Sequence, residues 1–450
     1  MPEADKLVAS TWEKPFRRPD SIPASAAIVV IGGGIVGVST AWFLARQGVD
    51  VVLCEKGHVA GEQSGRNWGW VRQQGRDTRE MPMIVESLRI WRGLEQEIGE
   101  SVGFRETGVL FSADTDRDLD ALGNWLTTAA EYGLDTRIID AAEMTRLVRG
   151  STIRWRGALY TASDGRAEPH KAAPAIARAA ARHGATILTG CAVRGIVTEG
   201  GRLSAVVTEH GAIRTSVALC AAGAWTSMFC RSLGITVPQL RVRGTVARTA
   251  PSESVLDGAL FDRRVALRRR EDGGYTIAHG TILDHPITPS TFRFALQYVP
   301  ALLMEIRNLR LFIGREFVDE WRQPVTWPLD AESPFERVRV LNPAPRTSVV
   351  RAMRHELDKA FPQLATVPIV ESWAGMIETT PDVIPVIDAV ESIPGFHVAT
   401  GFSGHGFGIG PGAGKAIAGM LTGTDSGIDL HEFRLGRFSD GSKIRPQSSV

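Results

Sequence analysis

The chain has 450 residues, more than a single hydrophobic core usually serves, so two domains are expected. Apolar residues make up 43% of the sequence and charged residues 22%, which is ordinary for a soluble globular protein. Its 51 basic and 50 acidic residues leave a formal net charge of +1, so the composition indicates neither a nucleic-acid partner nor attraction to an anionic membrane.

The first 25 residues predict a polar N-terminal arm, because they carry both signs of charge and lack the apolar core of a secretion signal. Residues 24–45 are apolar enough to suggest a membrane span, but their glycines and strand–turn–helix pattern favour a globular element. We therefore expect no integral membrane segment. Four cysteines show neither metal-ligand nor disulfide spacing, which predicts buried thiols, no metal site and a cytoplasmic location; they are Cys54, Cys191, Cys220 and Cys230.

A βαβ unit follows the arm. Residues 27–31 are a β-branched run that predicts a buried parallel strand, which ends at three consecutive glycines. Helical spacing predicts a helix over Ile35–Arg46, and residues 51–54 predict a second strand that ends at Glu55.

The remaining elements alternate along the chain. After a loop over 57–77, the helices are predicted at 81–98, 116–132, 141–148 and 171–183, and the strands at 108–112, 185–188, 196–198, 205–207 and 217–221. From about 239 to 365 the pattern is mixed, with strands at 240–247 and 275–278 and helices at 296–306 and 351–361. A strand at 396–400, a loop at 401–412 and a closing helix at 412–421 complete the prediction.

The glycines of the first turn have the spacing Gly32-x-Gly34-x-x-Gly37. Gly32 permits the tight turn, Gly34 lets the backbone approach a pyrophosphate, and Gly37 allows close packing of helix on strand. The helix N-terminus supplies free amides, and Glu55 is placed to accept hydrogen bonds from a ribose 2′-hydroxyl. This motif predicts a dinucleotide site but does not distinguish FAD from NAD.

Four segments decide between these cofactors by resemblance. They are VVIGGGIVGVSTAWFLARQGVDVVLCEK, SGRNWGWVR, ALCAAGAW, and WAGMIETTPDVIPVI followed by HVATGFSGHGFGIGPGAG. In this order, across residues 27–423, the chain resembles the D-amino-acid oxidase family of FAD-dependent oxidoreductases, which includes glycine and sarcosine oxidases and D-amino-acid dehydrogenases.

The resemblance implies FAD as the cofactor and a set of residues that contact it. The loop before the closing helix would face the flavin pyrimidine ring with its amides, and Pro411 would lie in the first turn of that helix. The implied cofactor-binding residues are Gly32, Gly34, Ile35, Val36, Gly37, Glu55, Lys56, Ser64, Arg66, Asn67, Trp68, Gly69, Val193, Ala222, Gly223, Trp225, Gly375, Gly404, His405, Gly406, Phe407, Gly408 and Ile409.

Three positions depart from the sarcosine-oxidase branch. Gly375 stands where that branch joins a cysteine covalently to the flavin, and Gly408 stands where its HGF motif is followed by a lysine that binds the substrate carboxylate. Its oxygen-activating lysine falls near Ala278. We therefore expect non-covalent FAD and a substrate other than sarcosine, while oxygen and another electron acceptor both stay open.

Three residues are catalytic candidates. Arg268 falls where many family members place an arginine for a carboxylate, although a solvated arginine explains it equally well. Arg72 is expected near the flavin ring or in a structural salt bridge, and His405 is expected to line the pocket. Additional candidates for the pocket wall, with a structural role as the alternative, are His279, Trp68, Trp70 and Trp373.

The predicted fold is α/β: a glutathione-reductase-like Rossmann FAD-binding domain with an inserted, mixed-sheet substrate domain of α+β type. The predicted limits are 1–25 for the arm, 26–100, 150–235 and 366–425 for the FAD-binding domain, 101–149 and 236–365 for the substrate domain, and 426–450 for a C-terminal tail.

The predicted function is FAD-dependent oxidation of the C–N bond of an amino acid or N-substituted amino acid. Hydride would pass from the α-carbon to flavin N5, and the imine would then be hydrolysed. The alternatives are a 2-hydroxy-acid or other alcohol dehydrogenase, an NAD-dependent dehydrogenase, and a flavoprotein subunit of a larger complex. The expected partners are a small-molecule amine or amino-acid substrate and an electron acceptor, and either a homo-oligomer or a complex is compatible with the sequence.

Overall fold

A computed structural model describes residues 16, 22–306 and 308–447 of the chain. Residues 1–15 and 17–21 of the predicted arm, and 448–450 of the predicted tail, lie outside the described residues. Among the described residues, none of the helices combines the length and hydropathy that crossing a bilayer requires. The predicted α/β architecture is confirmed, with one largely parallel sheet and one mixed sheet.

The first sheet has six strands and contains the βαβ unit. Two neighbouring strands, Ile28–Ile31 and Val51–Glu55, pair in parallel with Val29 opposite Val52. All four residues of the first of these strands are buried, as its β-branched run predicts. In sheet order the strands are Val386–Ala389, Phe396–Thr400, Ala218–Cys220, Ile28–Ile31, Val51–Glu55 and Thr186–Thr189, and only the first pair is antiparallel.

The second sheet has ten strands and is mixed. Its strands along the path are Leu309–Phe312, Leu283–Pro286, Leu240–Thr249, Tyr275–Ala278, Ala266–Arg269, Ala259–Phe261, Val109–Ala113, Gly157–Thr161 and Arg137–Asp140, and Ile369–Thr379 pairs with Leu240–Thr249. The strand Gly157–Thr161 therefore belongs to this sheet, although the sequence places it in the FAD-binding domain. The domain limits themselves stay a prediction.

Two smaller sheets complete the strands. One contains Val193–Glu199, Arg202–Thr208 and Gly211–Arg214, and the other contains Trp70–Val71, Gly165–Arg166 and Arg105–Glu106. The predicted loop over 57–77 thus contains a strand, and it also contains a one-turn helix.

The strands are connected by helices of two types. The α-helices are Ile35–Arg46, Gln63–Arg66, Met81–Ile98, Asp116–Gly123, Leu126–Glu131, Ala141–Leu147, Pro169–Arg182, Thr226–Ser232, Pro289–Arg293, Ala295–Glu305, Arg315–Trp321, Pro334–Arg337, Thr347–Ala360 and Gly406–Thr422. The 3₁₀ helices are Thr78–Glu80, Gly223–Trp225, Pro362–Leu364, His431–Phe433 and Leu435–Phe438. The predicted helices at 35–46 and 81–98 are confirmed with the same limits, whereas the one predicted at 116–132 is two helices.

The closing helix begins at Gly406, six residues before the predicted start, and Pro411 lies inside it instead of in its first turn. Tertiary contacts explain the difference. The Ser87 hydroxyl donates to the Gly408 carbonyl at 2.7 Å and accepts from the Gly412 amide at 3.1 Å, and Trp91 Nε1 donates to the same carbonyl at 2.9 Å. These side chains from the helix Met81–Ile98 bind backbone groups on either side of Pro411, where the missing N–H of the proline weakens the helical hydrogen-bond pattern.

Candidate active site

The glycine-rich turn has the geometry that a close backbone approach requires. Gly32 has a φ of +111°, and a Cβ there would lie 2.4 Å from the carbonyl oxygen of Ala221. A Cβ on Gly37 would lie 2.0 Å from the Gly32 carbonyl oxygen, so only glycine lets the helix pack this closely on the turn. By contrast, a Cβ on Gly34 meets only the Ser64 hydroxyl, at 3.2 Å, because this residue faces a cavity.

Two polar side chains hold this turn. Glu55 accepts hydrogen bonds from the amides of Gly33 and Gly57, both at 2.7 Å, one on each carboxylate oxygen. Burial raises the pKa of Glu55, while these amide hydrogen bonds act in the opposite direction. Ser64 Oγ accepts from the Ile35 amide at 2.9 Å, so it pairs the first amide of the helix.

A cavity of about 1030 Å³ extends from this turn to the N-terminus of the closing helix and on to the second sheet. Of the sequence-predicted cofactor residues, the wall contains Gly32, Gly34, Ile35, Val36, Glu55, Lys56, Ser64, Arg66, Asn67, Trp68, Val193, Ala222, Gly223, Trp225, Gly375, Gly404, His405, Gly406, Phe407 and Gly408. Gly37, Gly69 and Ile409 lie outside the wall.

These residues fit a dinucleotide. The cavity is at the upper end of the size range for small-molecule sites, which leaves room for a large cofactor together with a substrate. The first turn of the helix Ile35–Arg46 lines the cavity with Ile35 and Val36, and Gly34 places no side chain between this helix end and the cavity. Arg66 reaches the wall, but two of its nitrogens donate to the carbonyl oxygens of Gly61 and Ala374, at 3.1 and 3.0 Å.

The N-terminus of the closing helix carries a buried histidine that is hydrogen-bonded to a carboxylate. His405 Nδ1 lies 3.0 Å from Glu80 Oε2, and both residues are buried. Burial opposes ionisation of Glu80, but His405, Arg76 and Arg72 together lower its pKa. Burial lowers the pKa of His405 despite the neighbouring carboxylate, so we assign a neutral imidazole beside a charged Glu80.

Two buried arginines face the cavity near this helix end. Arg72 donates to the Gln74 carbonyl, and its guanidinium lies 5.0 Å from the ring centroid of Phe111. Burial, followed by the charge of Arg76, lowers the pKa of Arg72 to about 9, which still leaves it cationic at neutral pH. Arg76 donates from Nε to the Arg72 carbonyl at 3.2 Å. No sequence motif distinguishes Arg76 as a candidate.

The structure does not bring Arg268 to the cavity wall, which corrects its assignment as the carboxylate site. Its side chain is 1% exposed, and Nη1 and Nη2 donate to the two carboxylate oxygens of Glu168 at 2.8 and 3.2 Å. A further bond reaches Thr276 Oγ1 at 3.1 Å. Because its charge is already paired with Glu168 inside the protein, we assign this arginine a structural role.

Two of the three tryptophan candidates line the cavity, and the third does not. Trp68 and Trp70 line the cavity, edge to face with ring centroids 5.3 Å apart. Trp373 does not line it, and its Nε1 donates to the Arg66 carbonyl at 2.9 Å. His279 is a wall residue, whereas Ala278 is buried in its strand.

The cavity wall also contains a buried carboxyl group, Glu378, which is not among the sequence-predicted site residues. Glu378 Oε2 accepts from Gln239 Nε2 at 2.8 Å and pairs with Thr400 Oγ1 at 3.0 Å. Burial raises the pKa of Glu378 to about 7. Its position in the segment before the Thr380-Pro381-Asp382 motif was visible in the sequence, but its partners come from two distant segments.

The fold and the site define a flavin-dependent oxidoreductase. A family model described as "FAD dependent oxidoreductase" matches residues 27–420, so the chain belongs to this family and its cofactor is FAD. The structure of L-amino acid deaminase from Proteus myxofaciens in complex with anthranilate has a TM-score of 0.91 and 32% identity, covering 95% of this chain and 96% of that one.

Curated relatives agree on the family and differ in length. The chain is 26% identical to human mitochondrial sarcosine dehydrogenase over 444 residues, which cover 95% of this chain but 43% of that protein. It is 22% identical to sarcosine oxidase subunit beta from Rhodobacter capsulatus, covering 96% and 94% of the two chains. The chain thus spans less than half the length of the mitochondrial sarcosine dehydrogenase.

Proposed function

We propose that the chain uses FAD to oxidise the C–N bond of an amino acid or an N-substituted amino acid. The observation that carries this proposal is the continuous cavity, which joins the dinucleotide-type turn at Gly32 to a chamber walled by arginines and tryptophans. The named relatives, an L-amino acid deaminase and sarcosine-oxidising proteins, support the same substrate class.

The residues at the turn and the helix ends are proposed to hold the cofactor. Gly34 and the amides of the following helix would receive the pyrophosphate, and Glu55 would bind a ribose. The backbone at 404–408 would lie along the pyrimidine edge of the flavin. When bound, FAD supplies the hydride acceptor for the reaction.

The chain's own contribution is then to position the substrate and to exclude water. Trp68, Trp70 and Phe111 make one side of the chamber apolar, so an amine held there reacts in its neutral form beside the cofactor. A neutral His405 places no additional positive charge there. No side-chain base is required, because positioning carries most of the rate.

A substrate panel tests the proposal. D- and L-amino acids, N-methyl amino acids, simple amines and 2-hydroxy acids would each be mixed without oxygen with the purified holoenzyme, and bleaching of the flavin would be followed. We expect bleaching by an amino acid or its N-substituted form, with ammonia or an amine released. Bleaching only by 2-hydroxy acids, without a nitrogen product, would contradict the proposal.

The flavin is proposed to be non-covalent, because Gly375 has no side chain to form a bond. Acid precipitation of the holoenzyme should therefore release all the yellow colour into the supernatant, as measured by absorbance. Flavin retained on the denatured chain would show that another residue forms a covalent link.

The location and assembly are also proposals. Four free, buried cysteines support a cytoplasmic location, where thiols stay reduced. The similarity to a protein named as a subunit supports a complex as one arrangement, and size-exclusion chromatography of the natural protein with light scattering would test for partners.

A further inference from the structure

His405 and Glu80 form a buried imidazole–carboxylate pair at the cavity wall. His405 is the N-cap residue of the closing helix, and it lines the cavity with 8% of its surface exposed. Glu80 approaches it from the start of the helix Met81–Ile98 and is fully buried. Its Oε2 lies 3.0 Å from His405 Nδ1. A carboxylate behind a histidine that faces a reaction chamber orients the ring and stabilises a proton on it.

The hydrogen bond to Glu80 determines which ring nitrogen of His405 is free. A neutral imidazole carries one N–H, and beside a carboxylate acceptor we assign it to Nδ1. Nε2 then keeps its lone pair, and it has no hydrogen-bond partner among the described residues. Glu80 Oε1 is buried and also lacks a partner there. The pair can therefore accept one more proton, because an imidazolium is a stronger donor to a carboxylate than a neutral ring.

The charges near this helix end balance while the imidazole is neutral. The carboxylates of Glu80 and Asp164 both act on the guanidinium groups of Arg72 and Arg76. Burial raises the pKa of Asp164 to about 6, which still leaves its carboxyl group mostly ionised at neutral pH. The helix N-terminus adds a partial positive charge that also favours a neutral His405. A new negative charge in the chamber would disturb this balance, and a proton on His405 would restore it.

The chamber gains such a charge when bound FAD is reduced, because a hydride brings two electrons with a single proton. This inference rests on the proposed function for the place of that charge, since residues 404–408 are proposed to lie along the pyrimidine edge of the flavin. In a chamber with little water, a negative charge attracts a neighbouring proton acceptor's cationic form far more strongly than it does in bulk solvent.

We propose that His405 takes up a proton at Nε2 when the bound flavin is reduced, and that Glu80 positions the ring and stabilises the imidazolium. The Nε2–H bond forms with a proton from water, and no electrons move in this step. When the electron acceptor reoxidises the enzyme, the negative charge leaves and the proton returns to water. His405 is thus the proton acceptor of the reductive half-reaction, and Glu80 is a positioning residue.

Electrochemical reduction of the holoenzyme tests the proposal without any substrate. The midpoint potential of the flavin would be followed by absorbance between pH 6 and pH 9 with mediator dyes, and its slope against pH counts the protons taken up. We expect the wild type to take up about two protons per flavin near neutral pH, and His405→Gln about one. In Glu80→Gln the change from about two to about one should occur at a pH lower by about one unit or more, because the imidazolium loses its carboxylate.

His285→Gln is the matched control, because His285 is a second buried histidine of the cavity wall. Both of its ring nitrogens already have partners, the Arg241 carbonyl oxygen at 2.7 Å and Thr291 Oγ1 at 3.1 Å. This variant should keep the wild-type slope. A wild-type uptake of about one proton, or an uptake of about two that persists in His405→Gln, would overturn the proposal.

If His405→Gln does not retain FAD, Glu80→Gln decides: a change displaced to lower pH supports the proposal, and a change at the wild-type pH overturns it. Because the electrons come from an electrode, the result does not depend on the substrate panel. Proton uptake that depends on His405, with no bleaching by any amino acid, would leave the proton site standing and refute C–N oxidation.

Discussion

At the scale of single residues, Arg268 has a structural role because it forms a buried ion pair with Glu168. Its guanidinium and the Glu168 carboxylate are both 1% exposed and joined by two hydrogen bonds. Burial opposes ionisation of Glu168, but the charge and hydrogen bonds of Arg268 lower its pKa to about 2. Removing either partner leaves a buried charge without compensation.

We therefore expect Arg268→Met or Glu168→Gln to lower the free energy of unfolding by about 3–5 kcal/mol, measured by urea denaturation of the holoenzyme. The double variant should lose less than the sum of the two, because neither charge is then stranded. Arg137→Met is the control: its pair with Glu143 is exposed and should contribute about 1 kcal/mol or less. An Arg268→Met protein of unchanged stability and weakened substrate binding would restore Arg268 as a substrate residue.

Glu378 predicts a pH dependence of stability. Burial raises its pKa to about 7, above the ordinary value of 4.5, so the folded state binds the proton more tightly than the unfolded state. Its contribution to the free energy of unfolding is therefore full below pH 4.5, falls as the pH rises to about 7, and is lost above that. The total fall is about 3 kcal/mol at most.

In Glu378→Gln this fall should disappear, so the variant gains stability relative to wild type between pH 5 and pH 8. Thermal unfolding at a series of pH values, with FAD in excess, measures the difference. Glu391→Gln, at an exposed position, should follow the wild-type profile. A wild-type-minus-variant difference that is equal at pH 5 and pH 8 would contradict the assignment.

At the scale of elements, the closing helix depends on a neighbouring helix. The Ser87 hydroxyl bridges the Gly408 carbonyl and the Gly412 amide, on either side of Pro411. Ser87→Ala would leave these buried backbone groups without that partner, and we expect a loss of about 1–3 kcal/mol in the free energy of unfolding.

Because Gly408 is also in the cavity wall, the same variant should bind FAD more weakly, as measured by flavin fluorescence during dilution. Ser204→Ala, which removes an exposed hydroxyl bonded to the Val197 carbonyl, should change neither quantity. Unchanged stability and flavin retention in Ser87→Ala would show that the helix forms here without this bridge.

At the scale of the whole molecule, the cofactor cavity joins the two sheets. Gly32 and Glu55 come from the first sheet, whereas Gly375 and Ile377 come from the long strand Ile369–Thr379 of the second. A ligand that contacts both stabilises the folded protein according to its affinity and concentration, by about 4 kcal/mol at a thousandfold excess over Kd.

Removal of FAD should accordingly lower the Tm, and added FAD should restore it in a concentration-dependent way. FMN lacks the adenylate, whose ribose Glu55 is proposed to bind, so it should restore less. Differential scanning fluorimetry on apoprotein measures both, and equal stabilisation by FMN would place the cofactor differently in the cavity.

The sequence alone determined the βαβ unit, its glycines and Glu55, because each depends on spacing within about 25 residues. The limits of the helices Ile35–Arg46 and Met81–Ile98 follow from local periodicity for the same reason. The FAD-dependent family was also visible, since four motifs occur in a fixed order.

Only the tertiary structure decided where the charges lie. Arg268 and Glu168 are 100 residues apart, and the partners of Glu378 come from residues 139 and 22 positions away. The closing helix runs through glycines and a proline because a serine from another helix pairs its backbone. Such outcomes depend on which elements pack together, because the local sequence around a side chain does not contain its distant partner.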